Sequence, residues 1–144
     1  MYPVTVDAFS SVPFGGNPAG VAVFEDKLPD EAEMRRIAAK MGYSETAFIL
    51  PLGGNRFRIR YFTPVEEVPL CGHATVGSFA YMLKTGLVRE GESYVAQTGA
   101  GDINVDIADG LVWLDMAEPK PLAFLNDTDS AALAAAYGIS AADM

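Results

Sequence analysis

The sequence predicts an α+β fold in which strands wrap around a buried central helix, and three observations predict it. Strand-length segments with alternating or continuous apolar character run from Val4 to Met116. One helix, Asp30 to Met41, has a single apolar stripe, whereas another, His73 to Lys84, has almost no polar stripe at all. A helix apolar on most sides is buried on most sides, and a sheet around it is the simplest packing of these parts. Half of the 144 residues are hydrophobic and 20% are charged, enough apolar material for a core.

Val4 to Phe9 reads as the first strand, with Val4, Val6 and Ala8 on one face. Ser10 to Gly20 is dense in Pro and Gly, which predicts irregular backbone, and Gly20 to Phe24 is a short apolar strand. Asp30 caps the next helix and Glu33 stands three residues on, as in a capping box. Met34, Ile37, Ala38 and Met41 form its core stripe, and Gly42 stops it. Thr46 to Leu50 is a strand, Gly53-Gly54-Asn55 a turn, and Arg56 to Phe62 alternates as a half-buried strand of an antiparallel sheet. Arg56, Arg58 and Arg60 share its polar face, either solvated or available to an anion. The apolar helix ends before Gly86, and strands follow at Ser93–Thr98, Ile103–Ala108 and Leu111–Met116, the last two joined by the hairpin signal Asp109-Gly110. Glu118-Pro119-Lys120-Pro121 reads as a stiff linker, Asp129 to Tyr137 as a helix stopped by Gly138, and Ser140 to Asp143 as the start of another.

The formal net charge of −9 argues against a nucleic-acid partner. Basic residues do not cluster as on a membrane-surface helix, and no run reaches the roughly 20 apolar residues of a membrane span. No signal peptide is visible at Met1 to Asp7, and a lone cysteine, Cys71, fits a reducing compartment, so a cytoplasmic protein is expected. Cys71 and the lone histidine, His73, are two ligands without a second pair, so no metal site is expected.

Two segments gather the polar groups that a site needs: Ser44-Glu45-Thr46-Ala47-Phe48 after a helix stop, and Cys71-Gly72-His73-Ala74-Thr75 at the start of the apolar helix. A helix start offers unpaired amides and a positive dipole end, a seat for a carboxylate. A glutamate beside that seat, shielded from water, is suited to general acid–base work. Each residue alone has an ordinary alternative. Glu45 fits a surface position, His73 a cap or packing role, and Cys71 a small buried hydrophobe.

In order along the chain stand Asp7-Ala8-Phe9, Phe14-Gly15-Gly16-Asn17-Pro18-Ala19, Ser44-Glu45-Thr46-Ala47-Phe48, Arg60-Tyr61-Phe62-Thr63-Pro64 and Cys71-Gly72-His73-Ala74-Thr75. This series resembles the phenazine-biosynthesis PhzF-like family, closely over about the first 85 residues and more loosely from Ser93 to Met116. The resemblance implies a diaminopimelate-epimerase-like fold of two lobes with the active site between them. It also implies an isomerase that uses neither metal nor organic cofactor. It makes Glu45 the proton-shuttling carboxylate and His73 the residue that holds substrate and steers protons. Gly72, Ala74 and Thr75 fall at the helix-end seat, and Asn17 and Pro18 in a loop lining the cleft. The expected substrate is a small carboxylic acid. Cys71 matches the first member of the cysteine pair used by epimerase and racemase relatives, but the chain has no second cysteine.

Full-length members of that family are nearly twice as long. Residues 1–117 are therefore expected to form the N-terminal lobe around a central helix at 73–85. Residues 118–144 would be a linker and the first helical part of a second lobe. A homodimer or a complementary second-lobe chain would complete the site; the alternative is a non-catalytic half-domain or interaction module.

Overall fold

The computed structural model describes residues 2–116 and 125–140. In chain order the elements are β1 (Val4–Ala8), β2 (Asn17–Val23), α1 (Glu31–Met41), β3 (Thr46–Gly53), β4 (Arg56–Phe62), β5 (Glu67–Val68), α2 (Gly72–Thr85), β6 (Ser93–Thr98), β7 (Gly101–Ala108), β8 (Leu111–Leu114) and α3 (Asp127–Tyr137). The strands form one sheet in the order β1-β2-β3-β4-β6-β7-β8, with β5 beside β4. Parallel neighbours need a long crossover, and the two parallel junctions fall where helices intervene: α1 between β2 and β3, α2 between β4 and β6. The expectation of an antiparallel surrounding for β4 therefore holds towards β3 and fails towards β6.

Helix α2 packs against β1, β2 and β3 at one end of the sheet and against β8 at the other. One helix can touch both ends only if the sheet curls around it. The core lies in that curl. Phe79 of α2 meets Phe57 of β4 edge-on at 5.6 Å and Tyr94 of β6 at 5.9 Å, and all three are buried. Alternation puts Phe57, Ile59 and Tyr61 into this core. Phe62 breaks the half-buried pattern. With Ala22 and Phe48 it fills a second core under Met34 and Ala38 of α1, so the sheet centre is covered on both faces.

The polar face of β4 is neither bare nor free. Arg56 pairs with Asp102 at 2.7 Å, Arg58 donates to Gln97 at 3.0 Å, and Arg60 donates to Glu67 at 2.7 Å while lying 5.1 Å from the Phe62 ring centroid. These cross-strand partners take up the guanidinium groups that the sequence left open to an anion.

Helix ends follow local chemistry. Asp30 accepts from the Glu33 amide at 2.8 Å, but the Glu33 carboxylate turns to Arg36 instead of closing the capping box. A charged partner one turn on is a stronger attraction than a neutral amide. Gly42 and Gly86 adopt the left-handed C-cap conformation at φ 72° and 78°. Asn126, not the run from Asp129, caps α3, so that helix starts at Asp127. β2 begins at Asn17, earlier than the apolar run from Gly20, because Ala8 and Asp7 of β1 pair with Asn17 and Pro18. The expected linker at 118–121, the 117/118 lobe boundary and most of the helix start at 140–143 lie outside the described residues.

The apolar helix is not covered on every side. Ala80 is exposed and Val76 half-buried on a strip of α2 between β1 and β8. That strip floors a groove of about 510 Å³ whose rim carries Phe9, Leu111 and Trp113, which are 73%, 55% and 57% exposed.

Candidate active site

Glu45 sits on the short link between the Gly42 stop and β3. Its carbonyl accepts from the Gly20 amide at 3.0 Å, so the parallel pairing of β2 with β3 fixes the backbone there. Gly20 allows that approach: a Cβ on it would stand 2.5 Å from Thr46 Oγ1. Thr46 points into the packed interior with no exposed surface, and the Glu45 side chain, one residue earlier, keeps 21% exposure.

The second segment arrives on α2. Cys71 is the N-cap residue, with extended backbone and no side-chain capping bond. The Thr75 amide donates to the Cys71 carbonyl at 3.0 Å. The amides before it have no helical partner, and those of His73 and Ala74 act on the Cys71 sulfur. A buried relay holds this turn. The Thr75 hydroxyl donates to the Cys71 carbonyl at 2.7 Å, so the Tyr61 hydroxyl, 2.6 Å away, serves as donor to Thr75. Burial pushes the Tyr61 phenol well above its ordinary pKa, which keeps it a donor.

The two segments converge. His73 Nε2 lies 3.5 Å from Glu45 Oε2, and His73 Nδ1 lies 3.3 Å from Cys71 Sγ. His73 keeps only 13% side-chain exposure. Its Nε2 is buried and has no hydrogen-bond partner among the described residues; the Glu45 oxygen is within ion-pair range but beyond a normal hydrogen bond. Burial pushes the Cys71 thiol up to about 11; the Ala74 amide works against this, and the Glu45 carboxylate adds to it. At neutral pH the sulfur is therefore a protonated thiol. Glu45, Cys71 and His73 each place one ligand-type atom within 4.8 Å of the others, the one such group with metal-ligand chemistry found among the described residues.

Of the residues singled out from sequence, Glu45, His73, Gly72 and Ala74 come together here. Thr75 is at the same turn, but both its amide and its hydroxyl are used internally, so it supports the turn rather than facing a ligand. Asn17 and Pro18 lie at the start of β2, paired with Ala8 and Asp7. At the strand rise of about 3.3 Å per residue, they stand roughly 7–10 Å from Gly20 along β2. Sequence reasoning placed Tyr61 on the buried face but did not connect it to the site. A buried tyrosine in an alternating strand carries no signal of where its hydroxyl ends. It also treated Cys71 and His73 as an isolated pair, because nothing in their spacing shows that Glu45 supplies a third donor.

Chemically, the site sets a partly shielded carboxylate beside an imidazole at the amide-rich end of a helix. Such a group can hold an organic anion and exchange protons with it.

Comparison with known proteins identifies relatives of the chain and of its fold. The model of the phenazine biosynthesis-like protein family matches residues 6–141. An uncharacterized isomerase of Bacillus subtilis, YfhB, is 40% identical over 139 residues, which is 95% of this chain and 47% of the relative. A PhzF-family phenazine biosynthesis protein from Bacillus anthracis superposes with a TM-score of 0.76 at 33% identity, over 99% of this chain and 48% of that one. A predicted epimerase from Pseudomonas aeruginosa, PA4716, shares the fold at a TM-score of 0.77 and 22% identity, over 99% of this chain and 52% of its own. The chain thus spans about half the length of these relatives.

Proposed function

The chain belongs to the phenazine biosynthesis-like protein family, and from that premise we propose that it contributes one lobe of a cytoplasmic isomerase that moves a proton on a small carboxylic acid. The Glu45 carboxylate takes a proton from a carbon of the substrate. The electron pair left behind delocalises into the adjoining unsaturation or carboxylate, and the same group returns the proton to another face or another carbon. No electron leaves the substrate, so the step needs neither an oxidant nor a reductant. His73 orients the substrate beside Glu45. The Gly72 and Ala74 amides, with the positive end of α2, receive its carboxylate, and Asn17 and Pro18 line the approach.

The observation that carries this reading is the 3.5 Å approach of Glu45 Oε2 to His73 Nε2 at the free-amide end of α2. The relative YfhB is itself named an isomerase, which supports the same class. Because this chain covers about half of such relatives, the catalytic unit is proposed to need a second lobe or a second copy of the chain.

The test is deuterium exchange from D2O into a panel of small carboxylic acids, followed by NMR in an assembly that contains the whole family length. Exchange should fall by about 10²–10⁴ in Glu45→Gln, the range for losing a general acid–base group. Exchange at the wild-type rate in that variant excludes Glu45 as the proton carrier.

A second reading is favoured by the groove between β1 and β8. Its exposed Phe9, Leu111 and Trp113 form an apolar rim of the kind a partner covers. A half-domain that acts by binding would be multimeric or complexed, whereas a strictly monomeric chain on sedimentation speaks against this.

A further inference from the structure

The sequence contains two soft or borderline ligands, too few for a metal; the fold adds a third. Cys71, His73 and Glu45 offer sulfur, nitrogen and oxygen atoms within 4.8 Å of one another. Three such donors with an open fourth position are the composition of an exchangeable zinc site rather than a closed structural one. We infer that Glu45, Cys71 and His73 form a binding site for a borderline-soft divalent cation of the Zn²⁺ type, and that the bound cation blocks the proton-transfer site.

The geometry is near to what such an ion needs. Metal–sulfur distances of about 2.3 Å and metal–nitrogen or –oxygen distances of about 2.0–2.2 Å put tetrahedral ligands roughly 3.3–3.6 Å apart. Sγ to Nδ1 is already 3.3 Å, and Oε2 to Nε2 is 3.5 Å. One imidazole nitrogen serves one metal, so the widest ligand separation must close by roughly 1 Å. Rotation of the Cys71 and Glu45 side chains towards His73 Nε2 supplies that; among the described residues the Glu45 carboxylate meets His73 and Cys71, the other two ligands. His73 Nε2 adds an independent sign, as a buried ring nitrogen whose hydrogen-bonding capacity no protein group uses.

The local fields divide. The cation takes the Cys71 sulfur as thiolate, so binding releases to solvent the proton that the thiol holds at neutral pH; the positive end of α2 opposes the cation and steadies that thiolate. Hard, oxygen-seeking ions such as Mg²⁺ gain nothing from sulfur and imidazole, so the site discriminates by softness. The blocking effect follows from charge and space: a carboxylate bound to a dication is a far weaker base, and the ion fills the place beside it that a substrate carbon would take. That consequence rests on the reading of Glu45 as proton carrier, whereas the binding itself does not.

The chain has one cysteine and one histidine, which makes the test clean. Untagged protein is titrated with Co²⁺ as the spectroscopic probe, then with Zn²⁺ in competition and with Mg²⁺ as control. The expected result is one Co²⁺ per chain with a thiolate-to-cobalt charge-transfer band, which must come from Cys71. Zn²⁺ should displace it and Mg²⁺ should not. The band should vanish in Cys71→Ser, and affinity should fall at least about tenfold in His73→Asn and in Glu45→Gln. Saturation with Co²⁺ without that band overturns the site on the wild-type protein alone, whether or not a variant folds. Unchanged affinity in a folded His73→Asn or Glu45→Gln variant overturns the assigned ligand set. Neither readout uses substrate, so a failure here and a failure of the isomerase reading are separately visible.

Discussion

Replacing Gly20 with alanine should strain the seam that fixes Glu45. The added Cβ would meet Thr46 Oγ1 at 2.5 Å, Cγ2 at 2.8 Å and Cβ at 3.0 Å. Thr46 is fully buried and β-branched, so rotation about χ1 turns one branch away but leaves the other, and its Cβ, against the new methyl. The β2–β3 junction must open instead, carrying with it the Gly20 amide that holds the Glu45 carbonyl at 3.0 Å. Overpacking of this kind costs about 1–3 kcal/mol. Alanine returns about 0.4–1 kcal/mol by restricting the unfolded chain. The net loss is therefore up to about 2.5 kcal/mol, or up to roughly 10 °C in Tm for a domain of this size. Urea and thermal unfolding of Gly20→Ala measure it. Thr46→Ala removes both branches and a hydroxyl without a partner among the described residues. In that background the Gly20→Ala cost should shrink by at least about 0.5 kcal/mol, the lower end of coupling between touching residues. A Gly20→Ala protein more stable than wild type, or an equal cost in both backgrounds, refutes the reasoning.

Three further outcomes follow from the core and from the thiol. Phe79→Ala removes a ring with no exposed surface that packs on Phe57 and Tyr94, and should cost about 3–5 kcal/mol by denaturant titration; a loss below about 1 kcal/mol contradicts its central position. Alkylation of Cys71 should follow a thiolate midpoint near pH 11, above the ordinary value of 9.0, and a midpoint at or below 9.0 disproves the burial argument. A raised folded-state pKa binds its proton more tightly than the unfolded chain does. Its stabilisation is thus complete below about pH 9 and is lost as pH climbs through 11, so a Cys71→Ala protein should melt with a shallower decline across that window.

Much of this architecture was legible in the chain because single-face burial leaves a period. Phe57, Ile59 and Tyr61 declared β4, and the stripe containing Met34 and Ala38 declared α1. Asp109-Gly110 declared its hairpin, and both residues have positive φ, at 57° and 72°. β5 escaped notice because a two-residue strand has no period to read. The parallel pairing of β4 with β6 was hidden because strand order depends on what a crossover helix covers, not on any one strand's residues. At the site, ordered motifs marked Glu45 and His73 as candidates, but their convergence is a tertiary fact. The Arg face of β4 shows the reverse case: its pattern permitted an anion site, and Asp102 and Gln97 from distant segments, with Glu67 from the next strand, occupy it.

The two parallel junctions also bear on how this chain assembles. For Gly20 to meet Thr46, or Arg56 to meet Val95, the chain must close a loop that spans a whole helix. Loop closure is an entropic debt incurred before any contact is gained, so non-local strand pairing slows folding relative to hairpins. The antiparallel pairs β1–β2, β3–β4, β6–β7 and β7–β8 join strands adjacent in the chain and avoid most of that cost, and α2 links the two sets. Cys71 and His73 ride on the first turn of that helix and Glu45 on the β2–β3 seam, so the candidate site depends on contacts that the hairpins alone do not supply.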